Sequence, residues 1–176
     1  GPLSIRWYGL MYLLAFLSFF LLGRKQISRS IQTNNINKKN LDDLMIYGML
    51  GVIFGGRFGY IVFYQLDYFM DNPIDILAVW KGGMSFHGGL IGVIVALLIY
   101  SFLNKSIKIK SNKNEKFFIR FLIITDFVAP LIPLGLFFGR IGNFINGELY
   151  GRVIESNAVY WAMIFPQSGT LDPRHP

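Results

Sequence analysis

The sequence predicts an all-α, polytopic helical membrane protein with about four spans and an external cap segment. Three observations predict it. Hydrophobic residues make up 53% of the chain and charged residues only 15%, with a mean hydropathy of +0.44. A soluble domain carries nearer a quarter charged residues. Four apolar runs each approach the roughly 20 residues that a helix needs to cross a bilayer core. Lysine and arginine gather in two short segments between those runs, and no repeat of solenoid period is present.

The first span is read over residues 3–22, with Trp7, Tyr8 and Tyr12 clustered at its start as aromatic residues cluster at a membrane interface. Arg24, Lys25, Arg29, Lys38 and Lys39 follow without an acid, which places that segment in the cytoplasm and the N-terminus outside. Residues 41–64 form the second span. Asp42 and Asp43 suit its helix N-terminus, and Gly48, Gly51, Gly55 and Gly59 fall on one face as a small-residue packing stripe. Arg57 sits inside this span, where an arginine is expensive and must face protein, water or a lipid headgroup.

Residues 65–83 are the outer connection, with Asp67, Asp71 and Asp75 against Lys81 and a short interfacial helix expected from Pro73 to Trp80. The third span, 84–103, returns inward with His87 near its outer end. Lys105, Lys108, Lys110, Lys113 and Lys116 mark the second cytoplasmic loop, so both basic segments agree on one topology. The fourth span, 117–139, runs outward, kinked by Pro130 and Pro133, with Asp126 near its middle as a costly carboxyl read as structural. The domain division is therefore a transmembrane part over 1–139 and a signature loop with external cap over 140–176.

A net charge of +7 and a pI near 9.7 would suggest nucleic acid in a soluble protein. Here the basic residues suit an anionic leaflet instead, and no nucleic-acid partner is expected. The chain has no cysteine, which excludes a disulfide or a cysteine nucleophile within it. His87, His175 and Glu148 have no metal-ligand spacing, so no metal or other cofactor is expected.

The polar residues concentrate in Gly139-Arg140-Ile141-Gly142-Asn143-Phe144-Ile145-Asn146-Gly147-Glu148-Leu149-Tyr150-Gly151. Each glycine costs a helix about 1 kcal/mol against alanine, so the stretch reads as a broken helix end or tight loop where backbone meets ligand. It is either a polar cap on a membrane helix or a site. Arginine offers a planar donor fork that matches phosphate.

The same stretch resembles the signature of the prolipoprotein diacylglyceryl transferases. Gly82-Gly83-Met84-Ser85-Phe86-His87-Gly88-Gly89-Leu90, Arg6-Trp7-Tyr8-Gly9-Leu10-Met11-Tyr12 and Gly55-Gly56-Arg57-Phe58-Gly59-Tyr60 are similar to that family in the same order. The resemblance implies a bacterial inner-membrane enzyme with its site towards the periplasmic leaflet. That family moves a diacylglyceryl group from phosphatidylglycerol to the lipobox cysteine of a preprolipoprotein, and glycerol phosphate leaves. The resemblance covers about the first two-thirds of a typical member. Members continue past the Pro-Arg-His-Pro motif into further helices that carry another arginine and glutamate of the site.

On this resemblance Arg140 is expected to hold the phosphate, helped by Asn143 and Arg57. Arg57 has a second reading as a buried ion-pair partner of Glu148 or Asp126. His87 is expected as the base for the thiol, or as hydrogen-bonded structure. Glu148 takes a proton or orients Arg140. Tyr8 donates to the lipid or thiolate, or anchors the interface. Asn146 contacts the headgroup or caps the backbone break, and Gly151 permits a special backbone angle. A non-catalytic protein that binds or moves anionic lipid is the rival reading.

Overall fold

The computed structural model describes residues 7–29, 36–104, 107, 109, 115–154 and 159–175. They form α1 (Trp7–Arg29), α2 (Lys38–Tyr64), α3 (Leu66–Asp71), α4 (Phe86–Leu103), α5 (Glu115–Val128) and α6 (Ile132–Asn146), with short 3-10 turns between several of them. Among the described residues there is no strand, only isolated antiparallel bridges near the C-terminal end. Four stretches are long and apolar enough to cross a membrane: Gly9–Arg29, Lys38–Tyr64, Phe86–Leu103 and Glu115–Asn146. The chain is thus an all-helical membrane protein. Its helices expose large apolar side chains, with Phe54 69%, Phe58 68% and Phe102 70% accessible. Lipid rather than water is the solvent that such faces fit.

The chain divides into two compact units. One spans Gly23–Ala129. In it α2 and α4 meet through glycine. A Cβ on Gly51 would lie 2.8 Å from the Gly92 carbonyl oxygen, and one on Gly59 would lie 2.6 Å from Gly88 Cα. Backbones approach this closely only without side chains between them. Gly48, expected on the same stripe, has nothing within 4 Å of its Cβ position, so the contact begins one turn later.

Polar pins fix the Lys38 end of this unit. Asn37 and Asn40 cap α2 reciprocally, each side chain accepting from the other's backbone N–H at 2.9 and 3.0 Å. The helix therefore starts at Lys38, ahead of the expected span. Buried Asn40 donates to the Tyr100 hydroxyl at 3.0 Å, and Tyr47 packs edge-on against Tyr100. Buried Arg120 of α5 donates to the Ser101 carbonyl of α4 at 2.6 Å.

The other unit comprises residues 1–22 and 130–176. The helical ladder passes through a 3-10 turn at Ala129–Leu131, beside Pro130 and Pro133, as the missing proline N–H groups require. Helix α6 then continues to Asn146, beyond the span end expected at residue 139. The outer connection also differs from the single short helix expected at 73–80. It is α3 followed by 3-10 turns at Pro73–Leu77 and Val79–Lys81.

Candidate active site

Eight of the thirteen residues of the signature stretch are helix. Gly139 and Gly142 do not break α6: Gly139 borders open space and Gly142 is buried. Gly147 ends it, with a left-handed φ of 66° that favours glycine. Its N–H donates to the Phe144 carbonyl at 3.1 Å, and the Glu148 N–H donates to the Asn143 carbonyl at 2.8 Å. This pair of bonds is the Schellman closure, which reverses the chain over the last helical turn. Glu148 is thereby returned to the side of α6 that carries Arg140 and Asn143.

These three polar residues line one recess of about 230 Å³. Its remaining lining is apolar and aromatic, with Phe137, Ile141, Phe144, Leu149, Tyr150 and Phe165. Tyr150 stacks on Phe165 at 5.6 Å, and Phe144 meets Phe165 edge-on at 5.8 Å. Arg140 is exposed, and among the described residues none hydrogen-bonds or ion-pairs with its guanidinium. Glu148 lines the same recess without pairing with it. A free donor fork at the mouth of an apolar pocket can take an anionic group that carries a greasy body.

The turn after Glu148 is held under strain. Leu149 has φ 52° and Gly151 has φ 74°. A branched residue in that region costs on the order of 1–3 kcal/mol and persists only where its surroundings dictate it. Arg174 and His175 supply those surroundings. The His175 carbonyl lies where a Cβ on Gly151 would stand, so that position tolerates only glycine. Arg174 Nη1 donates to the Gly151 carbonyl at 3.3 Å, and its guanidinium lies 5.1 Å from the Tyr150 ring centre. The Arg174 backbone pairs in both directions with Met163, at 3.0 and 2.9 Å, and the His175 N–H donates to the Arg152 carbonyl at 3.1 Å. Sequence reasoning missed Arg174, Tyr150 and Phe165 as the frame of the recess. The charged Pro173-Arg174-His175 run was the available signal.

The other expected site residues are placed differently. Asn146 is the exposed last residue of α6 and does not line the recess. Gly151 stands behind it, serving backbone geometry. Tyr8 lies in α1, but its side chain falls outside those described. His87 belongs to the Gly23–Ala129 unit. It is exposed in the first turn of α4, edge-on to Phe86, in a helix capped by Ser85, whose Oγ accepts from the Gly88 N–H at 3.2 Å.

Arg57 lies in the Gly23–Ala129 unit with its guanidinium engaged by backbone. It is buried, and its fork is turned to backbone carbonyls rather than left open for phosphate. Nε donates to Ile76 at 3.0 Å, Nη1 to Gly82 at 2.6 Å and Gly83 at 3.2 Å, and Nη2 to Asp75. Phe69 covers the guanidinium at 4.9 Å.

Comparison with known proteins places this geometry in a lineage. The family model for prolipoprotein diacylglyceryl transferase matches residues 1–176, the whole chain. The chain belongs to the prolipoprotein diacylglyceryl transferase family. Among curated members, the phosphatidylglycerol–prolipoprotein diacylglyceryl transferase of Dechloromonas aromatica (strain RCB) is 53% identical over 176 residues, covering 100% of this chain and 61% of the relative. The proteins of that name from Bordetella avium (strain 197N) and Nitrosospira multiformis are 52% and 51% identical, again over all of this chain, and over 60% and 55% of their own lengths. The chain thus spans about 60% of the length of these prolipoprotein diacylglyceryl transferases.

Proposed function

We propose that this chain carries part of the active site of an enzyme that transfers the diacylglyceryl group of phosphatidylglycerol to the lipobox cysteine of a preprolipoprotein. The observation that carries the proposal is the Arg140 recess: an exposed, uncommitted guanidinium beside Asn143 and Glu148, backed by aromatic and aliphatic side chains. Support also comes from the names of the relatives, which state both substrates. The enzyme works in the bacterial inner membrane. The basic segments face the cytoplasm, and Arg140, His87 and the cap face the periplasmic side.

Phosphatidylglycerol enters sideways from the outer leaflet. Arg140 receives the phosphodiester through two parallel N–H bonds, and Asn143 donates to the same headgroup. The acyl-bearing part lies along Phe137, Phe144 and Leu149. The cysteine sulfur of the second substrate attacks the glyceryl carbon that bears the phosphate. A carbon–sulfur bond forms as the carbon–oxygen bond breaks, and the electron pair leaves with glycerol phosphate. The thiolate is the competent nucleophile, so a base removes the thiol proton. His87 is that base, because imidazole exchanges protons near physiological pH. Arg140 stabilises charge on the departing phosphate in a site with little water. Glu148 borders the same recess without pairing with Arg140, and it orients headgroup hydroxyls or the guanidinium.

Membranes containing the full-length protein, incubated with phosphatidylglycerol and a lipobox peptide, test this. A thioether-linked diacylglyceryl peptide together with free glycerol phosphate is the expected result. Phosphatidylglycerol binding without product would support the lipid-binding alternative and end the enzymatic reading.

A further inference from the structure

Arg57 is a cation buried in a membrane-spanning helix, a placement that is costly unless function or architecture repays it. Its donors reach four carbonyls spread over Asp75 to Gly83, all on the connection between α3 and α4. One residue away, the Gly56 carbonyl accepts the Ser85 N–H at 2.9 Å. Ser85 in turn caps α4, and His87 is the second residue of that helix. Two adjacent residues of α2 therefore hold positions 82, 83 and 85, immediately ahead of His87. The connection is otherwise held by buried Phe69 and Ala78 and by the Tyr68 hydroxyl, which donates to the Asp75 carboxylate at 2.6 Å, all ahead of position 82. Ile74, Leu77 and Trp80 are 84%, 76% and 75% exposed, and Gly82 and Gly83 have φ of 87° and 80°.

We propose that Arg57 is a positioning residue for His87: it gathers the outer connection onto α2 and so sets where α4 begins and where the imidazole stands. A fork already filled by backbone oxygens has little left for a phosphate. Lysine at this position keeps the charge but concentrates its donors at one point, and cannot span carbonyls along separate edges of a planar fork. The proposal rests on His87 being the base, as read above.

The test uses Arg57→Lys in the full-length protein, alone and combined with His87→Gln, with turnover and trypsin cleavage as separate readouts. Lys81 is the sole tryptic site of the connection, so its cleavage in detergent reports the connection's release without needing turnover. Arg57→Lys is expected to lower kcat about a hundredfold, as misplacement of a catalytic group by about 1 Å does, with KM for phosphatidylglycerol unchanged. Cleavage after Lys81 should quicken about tenfold or more, as befits lost charge-assisted bonds. In the His87→Gln background the substitution should add no further loss, because both changes remove the same contribution. A raised KM with kcat kept would make Arg57 a headgroup ligand and overturn the proposal. Unchanged turnover, unchanged cleavage or a fully multiplicative double variant would overturn it too. If Arg57→Lys fails to accumulate folded, Gly83→Ala carries the same readings, since its Cβ would meet the Tyr60 ring and displace the connection with Arg57 intact. Wild-type product formation judges the enzymatic reading independently of all these arms.

Discussion

Gly55→Ala should loosen the α2–α4 pair, whereas Gly48→Ala on the same helix should not. A Cβ on Gly55 would stand 2.5 Å from the Gly88 carbonyl oxygen and 2.6 Å from Gly92 Cα, and ordinary contact begins near 3.4 Å. Both obstacles are backbone, so no rotamer change relieves them. The helices must part by about 0.9 Å, the difference between those distances. Overpacking of this kind costs about 1–3 kcal/mol. Separation also thins the neighbouring contacts at Gly51 and Gly59, while alanine returns up to about 1 kcal/mol of helix propensity. The net expectation is a loss of about 1–2 kcal/mol, or a fall of several degrees in the unfolding midpoint. Gly48, with nothing within 4 Å, should be neutral or slightly stabilised by the same change. Thermal unfolding of the detergent-solubilised protein, followed by loss of the monodisperse species, reads both. Equal midpoints for Gly55→Ala and Gly48→Ala would refute the close glycine contact.

Three further expectations concern the proposed site and topology. Arg140→Lys should reduce turnover of the full-length protein about a hundredfold although charge is kept, because ammonium lacks the bidentate fork; wild-type rates would reduce Arg140 to a point charge. His87→Gln should cost about a hundredfold near neutral pH. That loss should narrow as pH rises towards a thiol's own range near about 8.5, and a rate ratio constant from pH 6 to 9 would remove His87 as the base. In intact cells, cysteine at position 70 should react with an impermeant thiol reagent and cysteine at position 110 should not; the reverse pattern would invert the topology.

Much of the fold was legible because lipid imposes simple rules. Length and hydropathy located four spans, and Pro130 and Pro133 marked the interruption after α5. What was not legible depends on partners distant in sequence. Counting glycines suggested that the signature stretch breaks early, yet Gly139 and Gly142 sit within α6 and only Gly147 has the left-handed backbone that ends a helix. Gly48 shares the helix face of Gly51 and Gly55 but lies beyond the reach of α4. For Arg57 the cost of burial was evident, but its acceptors are carbonyls of a connection whose path no periodicity encodes. Arg140, Asn143 and Glu148 were readable as a group because they lie close in sequence. Their frame of Tyr150, Phe165 and Arg174 was not, since it is closed by pairing across more than twenty residues.

The Schellman closure of α6 also sets the polarity of the recess. Many anion sites sit at helix N-termini, where unpaired N–H groups and the positive end of the macrodipole attract negative charge. This recess is built on the last turns of α6, where the field has the opposite sign, roughly −0.5 of an elementary charge, and where the Gly147 and Glu148 N–H groups are already engaged. On the proposed function, backbone therefore contributes no welcome to phosphate, and the attraction resides in side chains, Arg140 foremost. On that reading the pocket discriminates by charge number. A singly charged phosphodiester can be held by one guanidinium, while the released phosphate monoester, approaching two negative charges, exceeds what one guanidinium beside a helix C-terminus balances. On the proposed chemistry that difference drives the departing group outward and clears the site for the next lipid.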